Sequence, residues 1–351
     1  MGMNTDFLVI GGGIFGLSAA LELRQRQFSV RLINPDGIPH PLAASTDISK
    51  IVRAEYGADQ QYFEMAMTAI TGWEHWNKLL GRAVYHPVGL LMLMREDRQA
   101  AAQGFERQSV ALLEAAGISP QWLSAADLRE RYPVVNADFF PYGHFNQRAG
   151  YVESRLAIEL LAAYAKKQGV LIEEQQTARD LIIKRGQLVQ VNTMEGATFG
   201  AGQTIVAAGA DTARLVPGLA ESLKITGHPV FHFRPIDPEG FLVGQLPVFT
   251  ADISNTGWYG FPYHPREGVV KIARHSDGLL IDPERDDRQV NAAELADCRA
   301  FLAKAFPELA TASLTATRRC LYTDSLDGHF WIAQHPEIRG LSVATGGSGH
   351  A

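Results

Sequence analysis

The tightest constraint on the fold lies in the first turn of the chain. Phe7 to Ile10 is a short apolar run, the pattern of a strand buried on both faces. "GGGIFG" follows at once and sets Gly11, Gly13 and Gly16 in G-x-G-x-x-G spacing. "LSAALELRQRQ" then carries Leu17, Ala20, Leu21 and Arg24 at helical spacing, and "SVRLIN" reads as a second strand. Strand, glycine turn, helix and strand in that order form the context of a dinucleotide-binding motif. Gly11 permits the tight turn, Gly13 lets the backbone approach a pyrophosphate, and Gly16 lets helix and strand pack closely. The helix start, with Ile14 and Phe15, offers unpaired N–H groups and a positive dipole end to phosphates. The second strand ends in Asn34 where a carboxylate would take both ribose hydroxyls, with Asp36 two residues on. An amide oxygen accepts there more weakly. The motif alone does not separate FAD from NAD.

At 351 residues the chain has room for two domains and a large core. A formal charge of −6 argues against nucleic acid or an anionic membrane as partner. Cys298 and Cys320 are the only cysteines and make no disulfide framework, which points to a reducing, cytoplasmic setting. The apolar stretch "FLVIGGGIFGLSAALEL" is broken by glycines and preceded by Asp6, so it reads as neither a signal peptide nor a membrane span.

Two further stretches carry unusual chemistry. "AASTDISKIVRAEYG" holds Lys50 and Arg53 three positions apart. On a helix the two cations would share a face; on a strand they would point oppositely. Taken alone they read as a solvated pair. "TATRRCLYTDSLDGHF" places Cys320 directly after Arg318 and Arg319. Nearby cations favour a thiolate, although a small buried side chain beside two surface arginines is the plainer reading of that stretch alone. Cys298, in the amphipathic "AAELADCRAFLAKAF", reads as packing.

"GGGIFGLSAALEL", "DISKIVRAEYG" and "CLYTDSLDGHFWI", with the weaker "VGLLML", "AGYVES", "IVAAGA" and "WYGFP" in the gaps, resemble the sarcosine oxidase-like flavoenzymes over essentially the whole chain. That family, within the D-amino acid oxidase-like fold, includes monomeric sarcosine oxidase, N-methyltryptophan oxidase, saccharopine oxidase and the amadoriases. The "DISKI" form looks closer to the amadoriase and saccharopine oxidase branch. The resemblance implies FAD, tethered covalently through Cys320. It implies a flavin-side cation at Lys50, a substrate-carboxylate clamp at Arg53, and a lysine promoting the reaction with oxygen at Lys271. Tyr259 would be a polar wall of the pocket, with His275 a weaker candidate. Ser45, Thr46, Ala178, Ala208, Gly209, Gly347, Gly349 and His350 complete the implied cofactor contacts; His329 approaches as well, and the backbone around Thr177 to Arg179 meets the adenine.

The implied fold is an α/β nucleotide-binding (Rossmann-like, FAD) domain from residues 1–83, 149–216 and 320–351. An α+β substrate domain with a mostly antiparallel sheet comes from 84–148 and 217–319. Runs such as "VFHFRP", "WYGFP" and "VVKIA" suit that sheet. The implied activity is oxidation of a secondary-amine amino acid or related derivative to an imine, with oxygen reduced to hydrogen peroxide. A flavin dehydrogenase and a non-catalytic FAD protein are the alternatives, and oligomeric state is open. The family continues beyond "VATGGSGHA" with Gly-Phe-Lys and a helix. A chain ending at Ala351 is therefore expected to retain FAD weakly or turn over slowly, and a family-like extension to restore both.

Overall fold

The structure is a computed structural model and describes residues 5–96 and 104–350. Its first layer is a six-stranded sheet. Thr5–Ile10 lies inside it, flanked in parallel by Val30–Ile33 and Ala201–Val206. Leu171–Glu173 extends the sheet beyond Val30–Ile33, and Leu341–Thr345 extends it beyond Ala201–Val206, both in parallel. Trp331–Gln334 closes one edge in the antiparallel sense.

One face of this sheet is covered by the helices Ile14–Gln25 and Ser154–Lys167. Val9, Leu17, Ala20, Leu32, Leu161 and Ala165 fill that contact. The other face packs on a three-stranded antiparallel sheet, Ala178–Lys184, Gln187–Thr193 and Thr198–Phe199, through Leu8, Ile10, Ile33, Leu188 and Val191. Burial from both sides is why Phe7 to Ile10 reads as a continuous apolar run rather than an alternation. Leu17 is fully buried, so Leu17→Ala would cost about 2–5 kcal/mol through lost transfer energy and a residual cavity.

The second layer is a nine-stranded sheet in the order Leu279–Leu280, Leu223–Arg234, Val270–Arg274, Trp258–Gly260, Val248–Ala251, Leu90–Met94, Tyr142–Asn146 and Gln121–Ser124. Ser313–Ser325 also pairs with Leu223–Arg234. Its pairings are antiparallel except that between Val248–Ala251 and Leu90–Met94. Phe231, Phe233, Phe249, Trp258 and the helix Ala292–Ala305 form the core beneath it. Cys298 is fully buried in that helix, and burial pushes its thiol pKa up, so it is inert packing. The strand Ser313–Ser325 runs unbroken through the sequence-expected boundary at 319/320, which makes Cys320 a mid-strand residue.

A small antiparallel sheet lies apart from the two. Lys50–Val52 pairs with Gly150–Val152, which pairs with Tyr85–His86 on its other side. The stretch carrying Lys50 and Arg53 is thus a strand and its exit, not a helix, and the two cations meet different partners.

Candidate active site

The glycine turn is built as its spacing demands. Gly11 adopts φ +109°, and a Cβ there would lie 2.3 Å from the carbonyl oxygen of Ala207. At Gly16 it would lie 1.9 Å from the carbonyl oxygen of Gly11. Gly13 differs: its nearest neighbour would be Ser45 Oγ at 3.2 Å, so protein packing alone does not require glycine there.

Asn34 is turned to a second task. Its Oδ1 accepts the Gly12 N–H at 2.8 Å and its Nδ2 donates to the Asp36 carbonyl at 2.9 Å, which pins the strand end to the turn. Ser45 Oγ accepts the Ile14 N–H at 3.1 Å, so the loop before Lys50 is tied to the helix start that carries Phe15. Ala207 N–H donates to Ile10 O at 2.8 Å and brings Ala208 and Gly209 beside the turn. Ala178, at the head of its strand, is buried, and its carbonyl accepts from Arg214. The Thr46 hydroxyl is buried with no hydrogen-bond partner among the described residues, an orphan that suits a polar cofactor atom.

Cys320 is 2% exposed and lies 3.5 Å from Lys50 Nζ. The adjacent arginines are not its cations. Arg319 makes two contacts to the Glu294 carboxylate, at 2.9 and 2.6 Å, and two to the Gln289 carbonyl. Arg318 donates to the carbonyls of Pro41 and Ala43. The charge beside the thiol therefore comes from Lys50, 270 positions away in sequence. Burial disfavours the Lys50 ammonium, yet Cys320 and then Asp47 outweigh it and hold its pKa above the ordinary lysine value.

Lys271 is 1% exposed. Its Nζ donates to Asp47 Oδ2 at 2.6 Å and to Ser49 O at 2.5 Å, and lies 4.6 Å from the Phe261 ring centre. Burial pulls its pKa down to about 8, with Asp47 resisting and Lys50 adding to the fall. For the Asp47 carboxyl, burial is opposed by Lys271, His232 and Lys50, and its pKa ends well below the usual range. The pair is an ion pair near neutral pH. Tyr259 packs on the cluster of Val230, Ala273, Cys320 and Tyr322. His275 faces Tyr322 at 5.8 Å and His228 at 6.0 Å.

Arg53 is held by stacking, with no ion-pair partner among the described residues: its guanidinium lies 4.6 Å from the Tyr56 ring and 5.8 Å from the Phe105 ring. Its buried Nη1 has no hydrogen-bond partner among the described residues. Tyr56 donates its hydroxyl to the His350 carbonyl at 3.1 Å. Tyr62 stacks on Tyr56 and on His329 and meets Phe330 edge-on, Phe330 stacks on His350, and Phe15 meets Phe330 edge-on. The last described turn thus packs against the Arg53 loop and, through Phe330, reaches the glycine-turn helix. Gly349, at φ +75°, passes so close to Tyr322 that a Cβ would lie 2.1 Å from its ring. Gly347 precedes it, and its carbonyl accepts the His350 N–H at 2.8 Å.

Sequence reading did not find Asp47, His232, Tyr56 or Tyr62. The only local sign was that Asp47 lies inside "TDISK", three residues before Lys50.

The model of the FAD dependent oxidoreductase family (DAO) matches residues 6–351. The chain is 26% identical to the L-saccharopine oxidase of Schizosaccharomyces pombe over 386 residues, covering 99% of this chain and 87% of that one. It is 28% identical to the monomeric sarcosine oxidase of Streptomyces avermitilis over 355 residues, covering 100% and 90%. The solved amadoriase I of Aspergillus fumigatus superposes with a TM-score of 0.83 at 24% identity, covering 100% of this chain and 83% of that one, which shows a shared fold. The resemblance read from the three motifs is borne out: the chain belongs to the FAD dependent oxidoreductases of the DAO family.

Proposed function

We propose that the protein oxidises a secondary-amine amino acid or a related amino-acid derivative, with oxygen as the acceptor and FAD tethered at Cys320. The observation that carries this is the pairing of two features. One is a guanidinium, Arg53, beside two aromatic rings, with a buried nitrogen that has no hydrogen-bond partner among the described residues. The other is a buried thiol, Cys320, within 3.5 Å of a lysine. The first suits a substrate carboxylate and the second suits attachment of a flavin. The relatives named for saccharopine, sarcosine and N-methyl-L-tryptophan point to one substrate class, N-substituted amino acids.

The residues present fit FAD. The Gly11–Gly13–Gly16 turn leaves backbone open to a pyrophosphate, and the Thr46 hydroxyl awaits a partner. Bound FAD supplies the two-electron acceptor for C–N oxidation and hands the electrons on to oxygen. The protein does the rest. Arg53 grips the carboxylate bidentately and so fixes which C–H bond of the substrate is presented. Lys50 sets a positive charge 3.5 Å from the Cys320 sulfur, where the tether would form. Lys271 keeps a positive charge where negative charge develops on oxygen. Tyr259 and the Tyr56–His350 cluster wall the pocket. In this reading 1–83, 149–216 and 320–351 bind FAD through a Rossmann-like sheet, and 84–148 with 217–319 form the substrate side. Two unpaired thiols suit a reducing compartment such as the cytoplasm. Among the described residues no helix is long and apolar enough to cross a membrane.

Oxygen uptake and peroxide release on addition of N-methyl, cyclic, opine-type and fructosyl amino acids test the proposal. At least one class is expected to give both. Flavin bleaching without oxygen uptake would reassign the protein as a dehydrogenase, and no response to any class would overturn the reading.

A further inference from the structure

We propose that Asp47 is a positioning residue that holds the Lys271 ammonium in place and in its charged form. The inference rests on the oxidase reading for its purpose, but its geometry stands alone. Asp47 is 1% exposed, and its own position is fixed on three sides. Its Oδ1 accepts the Ile48 N–H at 2.7 Å, its N–H donates to Ser154 Oγ at 3.3 Å, and its carbonyl accepts from Ser154 Oγ at 2.7 Å and from the Arg155 N–H at 2.9 Å. Ser154 and Arg155 open the helix Ser154–Lys167, so the carboxylate is anchored to a rigid element. Oδ2 is left for Lys271 Nζ.

The charged and titratable groups facing this pair are few. His232, from the Leu223–Arg234 strand, lies 3.7 Å from Asp47 Oδ1. Lys50 and Cys320 act on Lys271 through space, Lys50 lowering its pKa and Cys320 raising it. Ser49 O accepts a second Nζ proton but carries no charge to offset burial. Of these neighbours, Asp47 alone is a full anion in direct contact with Nζ. Without it a fully buried amine beside a second lysine would shed its proton at neutral pH, and a neutral amine cannot steady developing negative charge. Removing one partner of a buried pair also leaves the other uncompensated.

The test is the pH titration of the Lys271 side chain in the folded protein, read by NMR on carbon-13-labelled lysine and assigned with Lys271→Met. The parent midpoint is expected at about 8. Asp47→Asn is expected to move it below 7. Slower flavin reoxidation should accompany this change, with amine-driven reduction less affected. An unchanged midpoint in folded Asp47→Asn overturns the proposal. If that variant does not fold, Asp47→Asn combined with Lys271→Met removes both charges and is expected to fold; failure of both assigns Asp47 to the fold and also overturns it. The titration result does not depend on turnover. A parent protein inert to every amine would therefore remove the oxidase reading while leaving the Asp47–Lys271 assignment to stand or fall by itself.

Discussion

Replacing His144 by leucine should make the protein more resistant to acid, and the size of the effect follows from where the ring sits. His144 lies in the middle of Tyr142–Asn146, between Met92 and Trp122 on the neighbouring strands. It is 0% exposed, and neither ring nitrogen has a hydrogen-bond partner among the described residues. Burial alone pushes its pKa down to about 4 from an ordinary 6.5. The unfolded chain therefore takes up a proton as pH falls through 6.5, while the native ring stays neutral until about 4. Stability is lost with falling pH across that window, because the unfolded state binds more protons. Integrating between pH 7 and pH 5 gives a loss of about 2 kcal/mol from this one residue. Leucine fills a similar volume and cannot titrate. Urea unfolding at both pH values should show His144→Leu losing about 2 kcal/mol less than the parent. At pH 7 the variant should be no less stable, since two unsatisfied nitrogens leave the core. His228, which burial also depresses, is common to both proteins and cancels. Equal losses in parent and variant would show that the native His144 ring takes up its proton as readily as the unfolded one.

Other expectations are simpler to read. Acid precipitation of the flavin-loaded protein should carry yellow colour into the pellet, Cys320→Ala should release all of it, and Lys50→Met should slow attachment; Cys298→Ala should change neither. Glu294→Ala strands the buried Arg319 guanidinium without its bidentate partner and removes a capping-box residue of Ala292–Ala305, so thermal or urea unfolding should show a loss of about 3–5 kcal/mol.

The steric demands of the glycine turn were the legible part of the sequence. Gly11 and Gly16 are demanded by contacts within a few residues or with an adjacent strand, so their spacing reads directly as a turn. Alternation was less legible. Arg318 and Arg319 adjoin Cys320 in sequence, but the latter is claimed by Glu294 and Gln289 and the former by loop carbonyls, so neither serves the thiol. Lys50 and Arg53 read ambiguously as helix or strand because the Lys50–Val52 strand is only three residues long and is fixed by pairing with Gly150–Val152. Asp47 was invisible because its partner, Lys271, lies 224 residues away. Asn34 reads as a ribose acceptor by position, yet its amide also serves to hold the glycine turn.

Arg53 is proposed to bind the carboxylate of an amine whose oxidation reduces bound FAD. Anaerobic titration of flavin absorbance with an N-substituted amino acid, in the parent protein and in Arg53→Ala, tests it most directly. The parent should bleach at a saturating concentration, and Arg53→Ala should carry the same flavin content but need at least about 30-fold more amine, from a lost charge-assisted contact of about 2–5 kcal/mol. Identical titration curves, or no bleaching of the parent by any such amine, would contradict it.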